Sequence, residues 1–128
     1  MIDLDGTLLD TAPDLAAAAN AMLLELRRPE LSLETIRSYI GRGVPNLVKR
    51  CLTGRIDAAD DPSAAPADAL AIFQKHYHAS NGRYSTIYPG VVEGLQKFRA
   101  QGLKLACITN KAEAFTRPLL ERSGLLRH

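Results

Sequence analysis

Two carboxylates stand one residue apart near the start of the chain, directly before a glycine. They belong to the run Asp3-Leu4-Asp5-Gly6-Thr7. In an extended strand, alternate side chains share a face, so Asp3 and Asp5 would emerge on the same side. Gly6 would let the backbone leave the strand sharply. The run therefore predicts a short strand that ends in a tight turn, with both acids at its tip.

Paired carboxylates beside a turn suit a divalent cation and phosphoryl transfer. Hard cations such as Mg²⁺ prefer oxygen ligands, usually retain waters and bind substrate phosphate. One carboxylate could coordinate the cation and attack phosphorus while its neighbour transfers a proton. Thr7 could donate a hydrogen bond from its hydroxyl to a phosphate oxygen. Because Asp-Gly is also a common turn signal, two solvated acids in an ordinary turn are the alternative interpretation.

The longer run from Asp3 to Thr11 resembles the first motif of the haloacid dehalogenase superfamily, specifically that of its phosphatases. The resemblance implies that Asp3 is a nucleophile that forms an aspartyl-phosphate. It implies that Asp5 protonates the leaving alcohol and later activates water. It also implies a Mg²⁺ cofactor, held by Asp3 and by the backbone carbonyl of Asp5. The dehalogenases lack the second Asp, so the resemblance favours a phosphate ester as substrate.

A second candidate segment is the largely apolar run over residues 103–108, which leads into Thr109-Asn110-Lys111. Such a run predicts a buried parallel strand that ends in a loop. Open parallel sheets bind ligands beyond the carboxyl ends of their strands, which would place Thr109 beside Asp3. Similarity to the superfamily's second motif implies that Thr109 hydrogen-bonds the transferring phosphoryl group and that Asn110 shapes the loop. Lys111 could reach the same pocket or be a solvated residue near a helix start.

The composition is typical of a globular chain and argues against several classes of protein. With 128 residues, the chain could form one domain or two small lobes. A net charge of +2 without a basic stripe that carries aromatics does not suggest a nucleic-acid binder. No apolar run is long enough to cross a membrane, and there is no secretory signal. Cys51 and Cys107 form no C-x-x-C pattern, so we expect reduced, packed thiols in a cytoplasmic protein.

The sequence after the first motif begins with a strong helical pattern. Apolar residues at helical spacing predict an amphipathic helix over residues 14–28. Pro13 in its first turn and Asp14 near its positive end both support a start there. We therefore expect the chain to turn directly from the catalytic run into a helix.

Three further helices are predicted before the second candidate segment. Ser32 could cap the first of these, Pro45 opens the next, and the last begins near Asp68 and buries Tyr77 among its apolar residues. Four helices in succession suggest a small bundle.

The superfamily places a helical cap at this point in the chain. The resemblance therefore implies an α/β fold, with a Rossmann-like parallel-sheet core that is incomplete in this chain and an inserted helical-bundle cap. Residues 1–12 would form the first strand and catalytic turn of the core, residues 13–84 the helical cap, and residues 85–128 the return to the core with the second-motif strand. Within the cap, the composition of residues 58–67 predicts a polar connection.

The loop over residues 39–45 carries Gly41, Arg42 and Gly43. Its glycines permit close backbone approach, and Arg42 could meet an anionic group. An ordinary interhelical turn is the alternative. Together with residues 12–15, 88–91 and 109–111, the loop looks most like that of bacterial phosphoglycolate phosphatases. That resemblance would make 2-phosphoglycolate the substrate, with Gly41 and Arg42 in the loop that recognises its carboxylate.

The chain also departs from the pattern of the superfamily. The third motif is a downstream Lys and the fourth is an acidic pair that completes the Mg²⁺ site, and neither is found after Lys111. Only Met1 and Ile2 precede the first Asp, where several apolar residues are expected. We therefore expect this chain to be the amino-terminal and cap portion of a larger protein, with little turnover alone. A non-catalytic fragment that binds a phosphate ligand or a partner, and a sugar-phosphate mutase, are the alternatives. The oligomeric state stays open.

Overall fold

The structure is a computed structural model that describes residues 1–57 and 67–128. These ranges form two short strands, six α-helices and a terminal 3₁₀ turn. In chain order they are β1 (Leu9–Asp10), α1 (Ala12–Glu25), α2 (Leu33–Tyr39), α3 (Val44–Thr53), α4 (Ala67–Ser80), β2 (Thr86–Ile87), α5 (Val91–Ala100), α6 (Glu113–Ser123) and the 3₁₀ turn Leu125–Arg127. The four helices predicted between the two motifs are α1 to α4. The polar connection predicted over residues 58–67 lies, apart from its last residue, outside the described residues.

Local signals set the helix ends. The hydroxyl of Ser32 accepts a hydrogen bond from the backbone N–H of Thr35 at 3.1 Å, which satisfies a free donor at the start of α2. Helix α3 ends at Gly54, whose φ of 67° is in the left-handed region that glycine adopts without strain. These two signals set where α2 begins and where α3 ends.

Helices α1 to α4 share one apolar interior, which we call the helical cluster. Its largest fully buried members are Tyr77, Phe73, Met22, Leu23, Ile36 and Val48. Burial of one such apolar side chain contributes about 1.5–3 kcal/mol. Phe115 of α6 packs into the same interior, so the helical cluster is joined directly to the part of the chain that follows the second motif.

A second apolar cluster lies around the amino-terminal run. Its buried members are Leu4, Leu8, Leu9, Leu95, Leu119 and Leu125. Strands β1 and β2 pair antiparallel, with Leu9 opposite Ile87. Ile2 forms a parallel bridge with Cys107, in which the N–H of Ile2 donates to the carbonyl of Ala106 at 2.9 Å. The first and second motifs therefore run side by side in the same direction.

The prediction of a buried strand over residues 103–108 is wrong. This segment forms one parallel bridge, and Leu103 and Ile108 are 52% and 55% exposed. A parallel strand is buried only when partners cover both of its edges and faces, and here its partner is a stub at the start of the chain. The prediction of packed thiols fails for Cys107, which is exposed, and holds for Cys51, where burial raises the pKa to about 12.

Among the helices in the two described ranges, none is both long enough and apolar enough to cross a bilayer.

An ion pair joins α2 to β1. The guanidinium of Arg37 donates to both carboxylate oxygens of Asp10, at 2.9 and 3.2 Å. These hydrogen bonds and the positive charge hold the pKa of Asp10 below its ordinary value of 3.8. A carboxyl group whose pKa is lowered by folding stabilises the fold above its unfolded pKa, and that stabilisation is lost as the pH falls through the lowered value.

We therefore expect Arg37→Ala to lower the free energy of unfolding by about 0.5–1 kcal/mol at neutral pH, the upper range for a partly exposed pair. The difference from the wild type should vanish at a pH well below 3.8. Urea unfolding at both pH values measures it. A deficit of the same size under both conditions would show that the ion pair is not its source.

Candidate active site

A cavity of about 280 Å³ lies where the helical cluster meets the two motif segments. Five of the side chains predicted to form the site line it: Asp3, Asp5, Thr109, Asn110 and Lys111. Gly41, from the loop between α2 and α3, also lines it, as do Gln74 and Tyr77 of α4. The fold thus brings residues more than 100 positions apart to one cavity, although the chemical roles predicted for them stay predictions.

The first motif places its two acids by local geometry. Leu4 is fully buried, so its neighbours Asp3 and Asp5 lie on the other side of the backbone, as the alternation of an extended segment requires. Gly6 then turns the chain with a φ of 77°, and its N–H donates to the carbonyl of Leu9 at 2.8 Å. Both carboxylates line the cavity, and the chain turns away directly after them.

The two carboxylates have different surroundings. One oxygen of Asp5 accepts a hydrogen bond from Thr11 at 2.7 Å and lies 3.1 Å from the ammonium of Lys111. Its other oxygen accepts from Thr109 at 3.3 Å. Asp3 is exposed, and its Oδ1 accepts from the N–H of Leu4 at 2.8 Å. Asp5 is therefore held in place by side chains, whereas Asp3 remains accessible from the cavity.

Lys111 is not a solvated residue near a helix start, so that interpretation is wrong. Its side chain is 5% exposed. Its ammonium donates to the hydroxyl of Tyr77 and lies 4.7 Å from the centre of that ring. Sequence reasoning assigned Tyr77 only to the core, because a tyrosine at helical apolar spacing gives no signal about where its hydroxyl points.

The structure does not bring two of the predicted substrate-binding residues to this cavity. Thr7 is exposed and lies beyond the turn at Gly6, outside the cavity lining. Arg42 lines an adjoining surface groove, which shares Ile40 and Gly41 with the cavity and also contains Arg50 and Asp57. The loop of Arg42 has positive φ angles at the two flanking glycines, which set the direction of its side chain in a way that sequence spacing does not reveal.

Sequence reasoning also missed the role of Asp14. Its side chain is fully buried and accepts hydrogen bonds from the N–H of Gly82 at 2.8 Å, the N–H of Tyr84 at 2.5 Å and the hydroxyl of Ser85. The partners belong to the segment that leads from α4 to β2. The carboxylate thus links the first turn of α1 to the segment between α4 and β2.

A comparison with models of known protein families shows which family the chain belongs to. The model for haloacid dehalogenase-like hydrolases matches residues 1–128. The chain belongs to this family. The observation agrees with the resemblance seen in the first motif.

Two relatives of this haloacid dehalogenase-like chain illustrate the match. The phosphoglycolate phosphatase of Thiobacillus denitrificans is 62% identical over 125 residues, which are 98% of this chain and 55% of that protein. The phosphoglycolate phosphatase of Nitrosospira multiformis is 57% identical over 126 residues, again 98% of this chain and 55% of that protein. The chain therefore spans about half the length of the curated relatives it matches.

Solved structures agree with the fold class. The crystal structure of a predicted phosphoglycolate phosphatase from Haemophilus somnus superposes with a TM-score of 0.78 at 31% identity, over 96% of this chain and 56% of that one. A haloacid dehalogenase-like hydrolase from Streptococcus pneumoniae gives a TM-score of 0.79 at 21% identity, over 98% of this chain and 55% of that one. The predicted class, an incomplete Rossmann-like core with a helical cap, is confirmed.

The oxygen donors of the candidate site match some of the ligands that Mg²⁺ usually has in proteins. The ion is usually bound through one or two carboxylates together with waters and phosphate oxygens. Asp3 offers an accessible carboxylate, whereas the carboxylate of Asp5 is engaged by Lys111, which leaves the backbone carbonyl of Asp5 as the donor that the resemblance implies. No three His, Cys, Asp or Glu side chains come together within residues 1–57 and 67–128. The carboxylate of Asp3 and the backbone carbonyl of Asp5 are thus the described groups that could contribute to a coordination shell.

Proposed function

We propose that the complete protein to which this chain belongs is a Mg²⁺-dependent phosphomonoester hydrolase that acts through an aspartyl-phosphate, with 2-phosphoglycolate as its substrate. The observation that carries the proposal is the convergence of Asp3, Asp5, Thr109 and Lys111 at one cavity. Asp3 is accessible and Asp5 is held by hydrogen bonds, so these two chemically identical groups can take different roles in the reaction.

In the proposed reaction, the carboxylate of Asp3 attacks phosphorus and the ester P–O bond breaks. In the proposed cycle Asp5 is protonated when substrate is bound, and the leaving alkoxide takes that proton. Asp5 then accepts a proton from a water molecule, which attacks phosphorus and releases inorganic phosphate, so that both acids return to their starting states. Thr109 donates a hydrogen bond, and Lys111 supplies positive charge beside the phosphoryl oxygens. Mg²⁺, when bound, neutralises phosphate charge.

Support for a small substrate comes from the size of the cavity and from its surroundings. Its volume of about 280 Å³ is at the low end for a ligand pocket. Leu15, Val44 and Phe115 contribute apolar walls. Support for 2-phosphoglycolate in particular comes from the names of the relatives in Thiobacillus denitrificans and Nitrosospira multiformis. The proposal places the protein in the cytoplasm, to which its free cysteines are suited.

The test is a steady-state assay of phosphate release by the complete protein with Mg²⁺ and 2-phosphoglycolate. We expect release to depend on this substrate and to cease when a chelator removes the metal, because charge neutralisation is then lost. A longer phosphomonoester provides the specificity control. A sugar 1-phosphate tests the mutase alternative, because isomerisation without phosphate release would contradict the hydrolase proposal.

A further inference from the structure

Helix α4 contributes a hydroxyl group to the edge of the cavity through Tyr77. The ring of Tyr77 is fully buried and packs between two other aromatic rings, with its centre 5.6 Å from that of Phe73 and 4.8 Å from that of Phe115. A tyrosine has only two side-chain torsions, so this packing fixes the position of its hydroxyl. That hydroxyl accepts a hydrogen bond from the ammonium of Lys111.

Lys111 reaches the cavity from the other side of the site. Its side chain is nearly excluded from solvent, and within residues 1–57 and 67–128 its ammonium forms an ion pair with the carboxylate of Asp5 at 3.1 Å. Its backbone N–H donates to the hydroxyl of Thr109 at 3.1 Å, which fixes the start of the side chain but leaves its four-carbon stem free to rotate. The hydroxyl of Tyr77 and the carboxylate of Asp5 supply the contacts that define where the ammonium lies.

We propose that Tyr77 is a positioning residue that holds the ammonium of Lys111 at the cavity beside Asp5, so that helix α4 determines where this cation meets the phosphate group of a ligand. The inference rests on the proposed function and adds a residue to it. A flexible cation binds an anion weakly because its ordering costs entropy, and a fixed hydroxyl removes that cost before the ligand arrives.

The first experiment compares Tyr77→Phe with Tyr84→Phe in the complete protein. Tyr77→Phe keeps the buried ring and removes the hydroxyl. Tyr84 is half-exposed and does not line the cavity, so its replacement controls for the loss of a hydroxyl. We expect Tyr77→Phe to raise KM and the inhibition constant of inorganic phosphate about 10- to 100-fold, the range for a hydrogen bond to a charged group. We expect kcat to change less than about threefold, and both values to stay unchanged in Tyr84→Phe.

A second comparison separates positioning from packing. When Lys111→Met already removes the ammonium, adding Tyr77→Phe should not weaken phosphate inhibition further, because the hydroxyl then has no cation to hold. A further loss of the same size as in the wild-type background would show that the hydroxyl acts through the fold and would overturn the proposal.

A chemical measurement tests the same point without catalysis. Acetylation of Lys111 by an amine-reactive reagent, followed by mass spectrometry of its peptide, should be slow in the wild type and faster in Tyr77→Phe. Lys75, whose side chain is 60% exposed, provides the internal standard. Faster labelling in a protein that hydrolyses no phosphomonoester would support the positioning role and contradict the proposed function. Normal phosphatase activity with unchanged labelling and unchanged phosphate inhibition in Tyr77→Phe would overturn the inference alone.

Discussion

Asp3→Asn is expected to lower the turnover of the complete protein on 2-phosphoglycolate by at least about 10³-fold, the scale of loss when a nucleophile is removed. The amide has the shape of the carboxylate, and its oxygen can still accept the 2.8 Å hydrogen bond from the N–H of Leu4. The local fold should therefore persist. What is lost is the negatively charged oxygen that attacks phosphorus, because an amide is a very weak nucleophile.

The matched control is Asp10→Asn, which changes an acid of the same amino-terminal run. Asp10 pairs with Arg37 and does not line the cavity, so its replacement should leave turnover near that of the wild type. Acid quenching during turnover should leave phosphate on the peptide that contains Asp3 in the wild type and on no peptide in Asp3→Asn. Undiminished turnover in Asp3→Asn would rule out the nucleophile assignment, and a loss of equal size in both variants would point to a general structural effect.

Features determined by nearby residues were predicted well from the sequence. The periodicity of apolar residues and the hydroxyl of Ser32 act within a few positions, so the helices α1 to α4 and the start of α2 follow from the printed sequence. The alternation in the first motif is equally local, because the side chain of Leu4 lies on one side of the backbone and those of Asp3 and Asp5 on the other.

The approach of Thr109 to the first motif was predicted, but three other features that depend on distant partners or on backbone geometry were not. The ammonium of Lys111 contacts the hydroxyl of Tyr77, which lies 34 positions earlier in helix α4. The run over residues 103–108 has strand composition, but a strand needs neighbours to pair with, and one short stub provides a single bridge. The position of Arg42 depends on the backbone angles of the glycines on either side of it. Each of these depends on geometry that the residue types do not encode by themselves.

Asp14→Ala is expected to lower the free energy of unfolding by about 2–4 kcal/mol, because it leaves several partly buried donors without an acceptor. The carboxylate of Asp14 is the acceptor for Gly82, Tyr84 and Ser85. Ser85→Ala removes one donor and strands no backbone group, so its cost should be smaller, about 0.5–1.5 kcal/mol. Asp57→Ala, which removes an exposed acid, should leave stability unchanged. Urea unfolding of the complete protein measures all three, and equal stabilities of Asp14→Ala and Asp57→Ala would contradict the argument.

Asp14→Ala should also increase local opening of the chain in the segment between α4 and β2. The segment fastened by Asp14 continues from Asn81, whose amide donates to the carbonyl of Phe115 at 2.7 Å, and Arg122 donates to the carbonyl of Asn81. This network holds the end of α4 against α6. In Asp14→Ala, hydrogen exchange should therefore accelerate at the amides of Gly82 and Tyr84 and stay slow in α2. Exchange that accelerates equally in all helices would indicate global destabilisation instead of release of this fastening. Because α4 carries Tyr77 and α6 follows Lys111, a local release would also be expected to raise the labelling of Lys111, which links the buried acid to the geometry of the proposed phosphate site.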